Sequence, residues 1–522
     1  MADGWDQSRS AAGGRNPWLI AGVVSIATFM EVLDTSIANV ALTHIAGSLA
    51  AGQDESTWIL TSYLVANAVI LPISGWLSGI VGRKRFYMMC VALFTVSSVL
   101  CALAPNLEML ILFRILQGLG GGGLAPSEQS ILADTFPPEK RGQAFALYGV
   151  AVIVAPTIGP TLGGWITDSY SWHWIFLINA PMGLASLALV HLLVVEPKVL
   201  EEERAERLRG GLKVDFVGFF LVALFLGSLE IVLDEGQRQD WFSSGFIVFF
   251  AVLSALGLFA LVPWELSRED PIVDLRLLGR RQFASAFVVM LTIGAILFSS
   301  TQIMPQMLQT NFGYTATWAG LALMPGGAVM LCIMPIAGNL TRFAPAKYMI
   351  LFGLVSVAIA LWHFTSVSPD SGYWNLAWFR IWQTIGLPFL FVPITTVSYA
   401  GLPPEKTGAA SSLINVARNL GGSIGVATAQ TVFAQRSQVH QSFLVEHIAP
   451  SSLNYQTALD QITQAFKAQG GAAVQAQSEA IGWIGQTIAS QAALLAYIDV
   501  FFVLAVVAAC VAPVALILKK EA

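Results

Sequence analysis

Three charged side chains, Glu31, Asp34 and Arg114, lie inside long apolar runs of the sequence. A charge in the middle of a membrane-spanning helix costs about 2.5–3.5 kcal/mol on insertion scales, and it therefore indicates a functional role. Thr28, Glu31 and Asp34 fall on one face of a helix because they are spaced three residues apart. We expect this polar stripe to line an internal cavity, since lipid would not solvate it.

Asp34 and Arg114 have the residue types needed for reversible proton binding. At 1.5 Å per residue, each lies roughly 6–8 Å outside the membrane midplane, so the two side chains are expected to meet. Arg114 would then favour the charged form of Asp34, and this bias would weaken when the halves of the molecule rock apart. Two alternatives stay open, namely a static ion pair and an arginine that only binds backbone carbonyls. Glu31, nearer the midplane, is a candidate second proton site or a contact for a cation.

Further polar side chains within apolar segments are candidates for the wall of a substrate cavity: Thr28, Gln117, Arg380, Gln383 and Arg418. The two arginines in the second part of the chain would attract anionic substrates, or would serve a structural role. The sequence has no paired nucleophile and base, no metal-ligand spacing and no phosphate-binding P-loop. We therefore expect a protein that is not an enzyme and that uses neither ATP nor a bound cofactor.

Composition defines the elements that must hold these residues. The chain is 55% hydrophobic and only 11% charged, whereas a soluble domain carries about 25% charged residues. A spanning helix needs about 20 mostly apolar residues. Fourteen segments qualify, at 18–42, 56–78, 86–104, 107–132, 143–167, 172–195, 214–233, 244–266, 283–304, 316–338, 347–366, 372–399, 409–434 and 494–518. The net charge of −5 gives no indication of nucleic-acid binding.

The positions of Lys and Arg support this count and orient the chain. With both termini in the cytoplasm, 21 of the 27 Lys and Arg fall in cytoplasmic segments. Only Arg238, Arg436 and Lys467 fall in outer loops, and three arginines lie within spans. This asymmetry follows the positive-inside rule, and adding or removing one span would destroy it.

The two parts of the chain repeat each other. FRILQGLG around Arg114 matches FRIWQTIG around Arg380, and the loops FPPEKRGQA and LPPEKTGAA follow at the same offset of 266 residues. We expect a cytoplasmic tail at 1–16, a six-helix bundle at 17–195, a cytoplasmic linker with two additional spans at 196–282, and a second six-helix bundle at 283–522. Duplicated halves with a binding site near the midplane are typical of secondary transporters.

The second bundle includes a long outer loop at 435–490. Within it, Tyr455, Leu459, Ile462 and Phe466 recur at helical spacing and predict an amphipathic helix. Its apolar face would lie on the protein's own outer surface, or would form a docking surface for another protein.

Several motifs resemble the major facilitator superfamily, and within it the fourteen-span drug:proton antiporters of the EmrB type. LDTSIANVAL (33–42), GWLSGIVGRK (75–84), RILQGLGGG (114–122), APTIGPTLGG (155–164) and LDEGQRQDWFSS (233–244) carry the resemblance. The second motif is associated with the conformational change and contains Gly75, Gly82, Arg83 and Lys84. The fourth is the antiporter motif and contains Gly159, Pro160, Gly163 and Gly164. Gly79 and Ile80 depart from the second motif, which puts the conformational latch attributed to it in doubt. The glycines and proline of the fourth would shape the interface between the halves and limit leakage.

The resemblance implies an all-α integral membrane protein with the major facilitator fold, built of two six-helix bundles plus two additional central spans. It implies proton-coupled export of hydrophobic or amphipathic drugs across the bacterial inner membrane, driven by the proton motive force, with Asp34 as proton carrier. A periplasmic adaptor and an outer-membrane channel are possible partners. The alternatives are a transporter of one specific metabolite, and a membrane sensor or enzyme.

Overall fold

The computed structural model describes residues 15–196, 201–202, 204–205, 209, 215–403, 406–446, 448, 452–468 and 472–517. Within them the chain folds into helices and contains no strand. The first half comprises α1 (Pro17–Ser48), α2 (Gln53–Ser56), α3 (Trp58–Val81), α4 (Arg83–Ala102), α5 (Leu107–Gly121), α6 (Leu124–Thr135), α7 (Pro138–Ser169), α8 (His173–Leu177) and α9 (Asn179–Leu193).

The central segment comprises α10 (Phe216–Val222), a π-helical turn (Ala223–Gly227), α11 (Ser228–Glu235) and α12 (Gly245–Ser267). The second half comprises α13 (Arg281–Asn311), α14 (Ala316–Leu340), α15 (Ala346–Phe364), α16 (Tyr373–Gly386), α17 (Pro388–Ser398), α18 (Thr407–Glu446), α19 (Leu453–Ala468) and α20 (Ala473–Val511). Helices are the expected element, since backbone polar groups in lipid must be satisfied within the segment.

Thirteen helical segments among the described residues are long and apolar enough to cross a membrane. They correspond to thirteen of the predicted spans. The other predicted span, 409–434, lies in α18, where polar residues such as Asn415 and Arg418 are buried against neighbouring helices. Because α3, α13 and α20 pack around this helix, lipid does not need to solvate it. The count of fourteen spans and the cytoplasmic position of both termini stay predictions.

Several of the predicted spans are made of more than one helix. The segment 107–132 is divided between α5 and α6, and the segment 372–399 is divided between α16 and α17. Glycines explain how closely α5 packs. A Cβ on Gly120 would lie 2.7 Å from the backbone nitrogen of Phe94 in α4, and a Cβ on Gly122 would lie 2.6 Å from the carbonyl oxygen of Asn67 in α3. This close approach holds the buried face of α5, which contains Arg114 and Gln117, inside the first half.

The two halves meet most extensively along two pairs of helices. In one pair α7 packs against α14, and in the other α3 packs against α18. In the sequence repeat, α3 corresponds to α14 and α7 corresponds to α18. The two contacts are therefore related by the internal pseudo-symmetry. Inside the first half, α1 packs against α7, and α5 packs against α3 and α4.

The additional central helices lie against the junction between the halves. Helix α11 packs against both α3 and α18, and α12 packs on the outside of α11. Glu230 of α11 is buried and accepts a hydrogen bond of 2.7 Å from Ser423 of α18. Thr61 of α3 donates to the Asp234 carboxylate. One inserted helix is therefore bonded to both halves.

Most of the described residues in the predicted outer loop at 435–490 are helical. Helix α18 continues to Glu446, α20 begins at Ala473, and α19 lies between them in the chain. Leu453–Ala468 forms the predicted amphipathic helix. That helix packs on α20, with Tyr455, Leu459, Ile462 and Phe466 partly buried, which agrees with the first of the two alternatives for its apolar face.

Candidate functional site

The centre of the first half holds a buried ion pair between Asp34 and Arg114. Asp34 Oδ2 accepts a hydrogen bond of 2.5 Å from Arg114 Nη1. Asp34 Oδ1 accepts bonds of 2.9 Å from Gln117 Nε2 and 2.7 Å from Asn179 Nδ2. Asp34 is 2% exposed and Arg114 is fully buried. The two residues therefore meet, as the depth estimate predicted, and the carboxylate is surrounded by donors.

Arg114 is held by groups other than its acid. Its Nε donates to the Ile59 carbonyl oxygen at 3.0 Å, and its Nη1 also donates to Gln117 Oε1 at 2.9 Å. The guanidinium carbon lies 4.3 Å from the centre of the Tyr63 ring, within the range of a cation–π contact. Its Nη2 has no hydrogen-bond partner among the described residues. Arg114 thus binds both the acid and a backbone carbonyl, which the sequence left as alternatives.

One expectation about this pair needs correction. Asp34 lies on α1 and Arg114 on α5, and both helices belong to the first half. A rigid rocking of one half against the other would not separate them. Any change in the charge bias on Asp34 must therefore come from movement within the first half, or from water reaching the pair.

Two hydrogen-bond donors to Asp34 were not predicted as its partners from the sequence. Gln117, predicted to line a substrate cavity, instead bridges Asp34 and Arg114. Asn179 was not recognised from the sequence, although a single amide in the apolar segment 172–195 was a signal. Its Nδ2 also donates to Ser98 Oγ at 3.0 Å, which fixes the amide in place.

A second acidic cluster lies on the same face of α1. Glu31 Oε1 accepts a bond of 3.1 Å from Asn67 Nδ2, and Glu31 Oε2 has no partner among the described residues. Glu128 Oε1 accepts a bond of 2.6 Å from Ser25, and its Oε2 also has no partner. Thr28 lies beside the Glu128 carboxylate, but its hydroxyl makes no well-directed hydrogen bond. Glu128 is fully buried inside the first half.

A polar network joins this cluster to the second half. Asn419 Nδ2 of α18 donates to Asn67 Oδ1 at 3.3 Å, and Arg418 Nη1 donates to the Tyr148 hydroxyl of α7 at 2.6 Å. Asn415 Nδ2 donates to Gln129 Oε1 of α6 at 2.8 Å. Arg418 is therefore bonded across the interface between the halves.

Arg380 occupies in the second half the position that Arg114 has in the first. Its Nη1 donates to Gln383 Oε1 at 2.8 Å and to Ser300 Oγ at 3.3 Å, and its Nη2 donates to Thr301 Oγ1 at 3.2 Å. Arg380 and Gln383 are each 1% exposed. No acidic side chain among the described residues forms an ion pair with Arg380.

Residues of the 75–84 motif join the halves at the end predicted to face the cytoplasm. A Cβ on Gly75 would lie 2.7 Å from the Gly408 carbonyl oxygen of α18. Arg83 forms an ion pair with Asp134 and donates from Nη2 to Thr407 Oγ1 at 2.7 Å. The motif therefore makes contacts between the halves, although Gly79 and Ile80 depart from its usual sequence.

The two remaining residues of that motif have local roles. Gly82 has φ +99°, a backbone conformation that favours glycine, and it separates α3 from α4. Lys84 Nζ donates to the His191 carbonyl oxygen of α9 at 2.8 Å, within the first half.

The antiporter motif faces a different neighbour from the one expected. A Cβ on Gly163 would lie 3.1 Å from Ile37 Cγ2, and a Cβ on Gly159 would meet Ser36, so these glycines pack α7 on α1 within one half. Pro160 and Gly164 lie in the same continuous helix. The opposite contact, between α7 and α14, instead involves threonines of α7 such as Thr157, which lies against Gly327. The prediction that Gly159 and Gly163 lie at the interface between the halves was therefore wrong.

In the part of the chain that the structure describes, no group of three or more His, Cys, Asp or Glu is placed to hold a metal ion. The site is built instead from buried charges with amide and hydroxyl partners. Such an arrangement can bind and release protons and can accommodate charged or polar groups of a small molecule.

Comparison with known proteins identifies the family. A family model described as Major Facilitator Superfamily matches residues 24–426. The chain is 38% identical over 480 residues to the multidrug export protein EmrB of Escherichia coli (strain K12), covering 92% of this chain and 91% of that protein. It is 35% identical over 479 residues to the fatty acid resistance protein FarB of Neisseria gonorrhoeae, covering 92% and 91%.

A solved structure supports the same fold. The proton:xylose symporter XylE, bound to 6-bromo-6-deoxy-D-glucose, matches with a TM-score of 0.56 at 15% identity, over 92% of this chain and 94% of that chain. Together with the thirteen apolar helices, these matches show a multi-pass inner-membrane protein. The chain belongs to the major facilitator superfamily and, within it, to the EmrB group of multidrug export proteins.

Proposed function

We propose that this protein exports hydrophobic and amphipathic drugs and other toxic compounds in exchange for protons, with Asp34 as the proton carrier. The proton motive force supplies the energy, and neither a cofactor nor a catalysed reaction is involved. Relatives named as multidrug export proteins support the substrate class. The buried pair of Asp34 and Arg114 is the observation that carries the proposal.

The chemistry of the pair accounts for proton coupling. Arginine stays protonated in proteins, so the proton that comes and goes must belong to Asp34. In the closed arrangement the Asp34 carboxylate accepts hydrogen bonds from three donors. Two unit charges 4 Å apart attract by about 4 kcal/mol at an effective dielectric constant of 20, and by about 1 kcal/mol in bulk water. Water that enters the first half therefore weakens the attraction between the two residues and gives a proton a path to and from Asp34.

Alternating access follows from the contacts between the halves. In this structure the end predicted to face the cytoplasm is closed by Gly75 against Gly408, by Arg83 with Thr407, and by a 2.9 Å hydrogen bond between Ser74 and Ser412. Opening that end breaks these contacts and exposes the central polar network. We propose that substrate enters from there and leaves after the opposite end has opened.

Two long helices support a proposal about the partners of the pump. Helix α18 has 40 residues and α20 has 39, whereas about 20 residues cross a bilayer. Both therefore extend well beyond the membrane, where α19 packs on α20. We propose that this projection contacts a periplasmic adaptor, which in turn meets an outer-membrane channel.

Everted membrane vesicles energised by a pH gradient test the proposal. Ethidium is the probe, and its uptake is measured together with the collapse of the gradient. Asp34→Asn is expected to abolish proton-linked exchange. Glu230→Gln is the matched control, because it neutralises another buried carboxylate with a serine partner, outside the Asp34 cluster. Normal exchange by Asp34→Asn would contradict the assignment of the proton, and ethidium-dependent ATP hydrolysis by the purified chain would contradict secondary transport.

A further inference from the structure

The internal repeat places a serine where the second half would have an acid. Ser300 stands 80 residues before Arg380, as Asp34 stands 80 residues before Arg114. Each arginine donates to a glutamine three residues further along its helix. The two halves thus share one arrangement of arginine and glutamine, but the first half contains the counter-ion and the second does not.

Because of this difference, Arg380 is a buried cation with neutral partners. Among the residues that the structure describes, its Nη groups donate only to Ser300, Thr301 and the Gln383 side-chain oxygen. Arg114 Nε bonds a backbone carbonyl, whereas Arg380 Nε has no partner among the described residues, and neither has Gln383 Nε2. Burying a charge without a counter-ion is unfavourable, so the site favours a ligand that brings a negative charge.

The free donors define the chemistry of that ligand. The Nε–H and one Nη2–H of an arginine lie on the same edge of the planar guanidinium, and this edge matches the two oxygens of a carboxylate. Gln383 Nε2 supplies another donor close by, since its side chain is bonded to the same arginine. Thr301 is only partly buried, so one side of the cluster lies near a less enclosed surface.

We propose that Arg380, Gln383 and Thr301 form a carboxylate-binding site for amphipathic anionic substrates. This inference rests on the proposed export function and names one substrate class for it. The carboxylate of the substrate takes in the second half the place that Asp34 takes in the first. The two halves therefore have different roles: Asp34 in the first half binds the proton, and Arg380 in the second half binds the substrate carboxylate.

The test uses the purified full chain in nanodiscs of phosphatidylcholine, with radiolabelled dodecanoate as probe and dodecan-1-ol as the neutral probe of equal chain length. Ser300→Asp supplies Arg380 with an internal counter-ion, and Ser300→Asn is its neutral match of nearly equal size. Ser300→Asp is expected to lower the affinity for dodecanoate by at least about tenfold, the worth of one charge-assisted hydrogen bond. Ser300→Asn is expected to stay close to the parent protein, and dodecan-1-ol binding is expected to be the same in all three.

Two outcomes would overturn the proposal: unchanged dodecanoate binding in Ser300→Asp, or an equal loss for both probes. Arg380→Gln gives a second measurement and is expected to lose dodecanoate selectively. Thermal unfolding of each variant checks the fold, and Ser300→Asp is expected to unfold at a higher temperature than Ser300→Asn because it pairs the buried arginine. Equilibrium binding needs no proton gradient, so failure of proton-driven export would leave this result unaffected.

Discussion

The ion pair of Asp34 and Arg114 makes a prediction that separates structure from function. Asp34→Asn keeps one oxygen for Gln117 and Asn179, but its amide group then faces the guanidinium, so two donors oppose each other. Turning the amide over restores the bond from Arg114 and sets the amide against the other two donors. Removing one partner of a buried ion pair costs about 3–5 kcal/mol, and we expect that loss for Asp34→Asn and for Arg114→Met.

The double variant Asp34→Asn/Arg114→Met contains neither charge. The introduced amide side chain can then keep the bonds from Gln117 and Asn179 on its oxygen, with no guanidinium opposite its NH₂ group. We expect the double variant to lose less stability than the two single losses added together, by at least about 2 kcal/mol. Reversible unfolding in mixed micelles with increasing dodecyl sulfate measures the three free energies of unfolding.

Transport by the same variants decides the role of the acid. We expect proton-linked ethidium exchange to be absent from the double variant although its stability is largely regained. Exchange that returned together with stability would show that Asp34 is only a structural partner, and the reasoning would be refuted. Additive losses in the two single variants, within about 0.5 kcal/mol, would refute the energetic coupling of the pair.

Three further predictions concern the interface and the second acidic cluster. Gly75→Ala is expected to slow ethidium export strongly, because the added Cβ would lie 2.7 Å from the Gly408 carbonyl oxygen. Gly408→Ala is the control and is expected to be tolerated, because its Cβ would have no neighbour nearer than 3.4 Å. Equal export rates in the two variants would contradict the closed interface. Asp134→Asn weakens the ion pair at the same end, so maleimide should label a cysteine introduced at Ser412 several-fold faster than in the protein with Asp134. Glu31→Gln removes a candidate contact for a cation, so we expect it to reduce export of the cation ethidium. Proton exchange driven by a neutral substrate is expected to persist. Equal loss of the two activities would instead support Glu31 as a proton site.

Part of this structure follows directly from the sequence. Apolar length and the distribution of Lys and Arg predict thirteen of the spans that the structure contains. The depth of Asp34 and Arg114 predicts their contact, because position along a helix converts to height in the membrane. Helix α18 also follows from apolar length, although its polar residues lower its hydropathy, since burial inside the bundle replaces lipid exposure.

Other features depended on contacts between distant segments. Asn179 and Glu128 act through partners more than 100 residues away, at Asp34 and Ser25, and no local pattern names such partners. The segment 435–490 was predicted as an outer loop with one amphipathic helix, and its many Ala and Gln residues favour the further helix at its two ends. The correspondence of Ser300 with Asp34 could have been predicted from the sequence, because the offset of 266 residues that relates the two arginines also relates these two positions.

That equivalence has a consequence for energy coupling. If one proton enters for each substrate that leaves, export of a neutral compound moves one positive charge inward. Export of a monocarboxylate from the Arg380 site moves one negative charge outward as well, so two charges follow the membrane potential. Each charge is worth about 2.3 kcal/mol per 100 mV, which doubles the contribution of the potential for the anion. A half that lacks its own counter-ion therefore couples anionic substrates to the membrane potential more strongly than neutral ones, without any change in the proton site at Asp34.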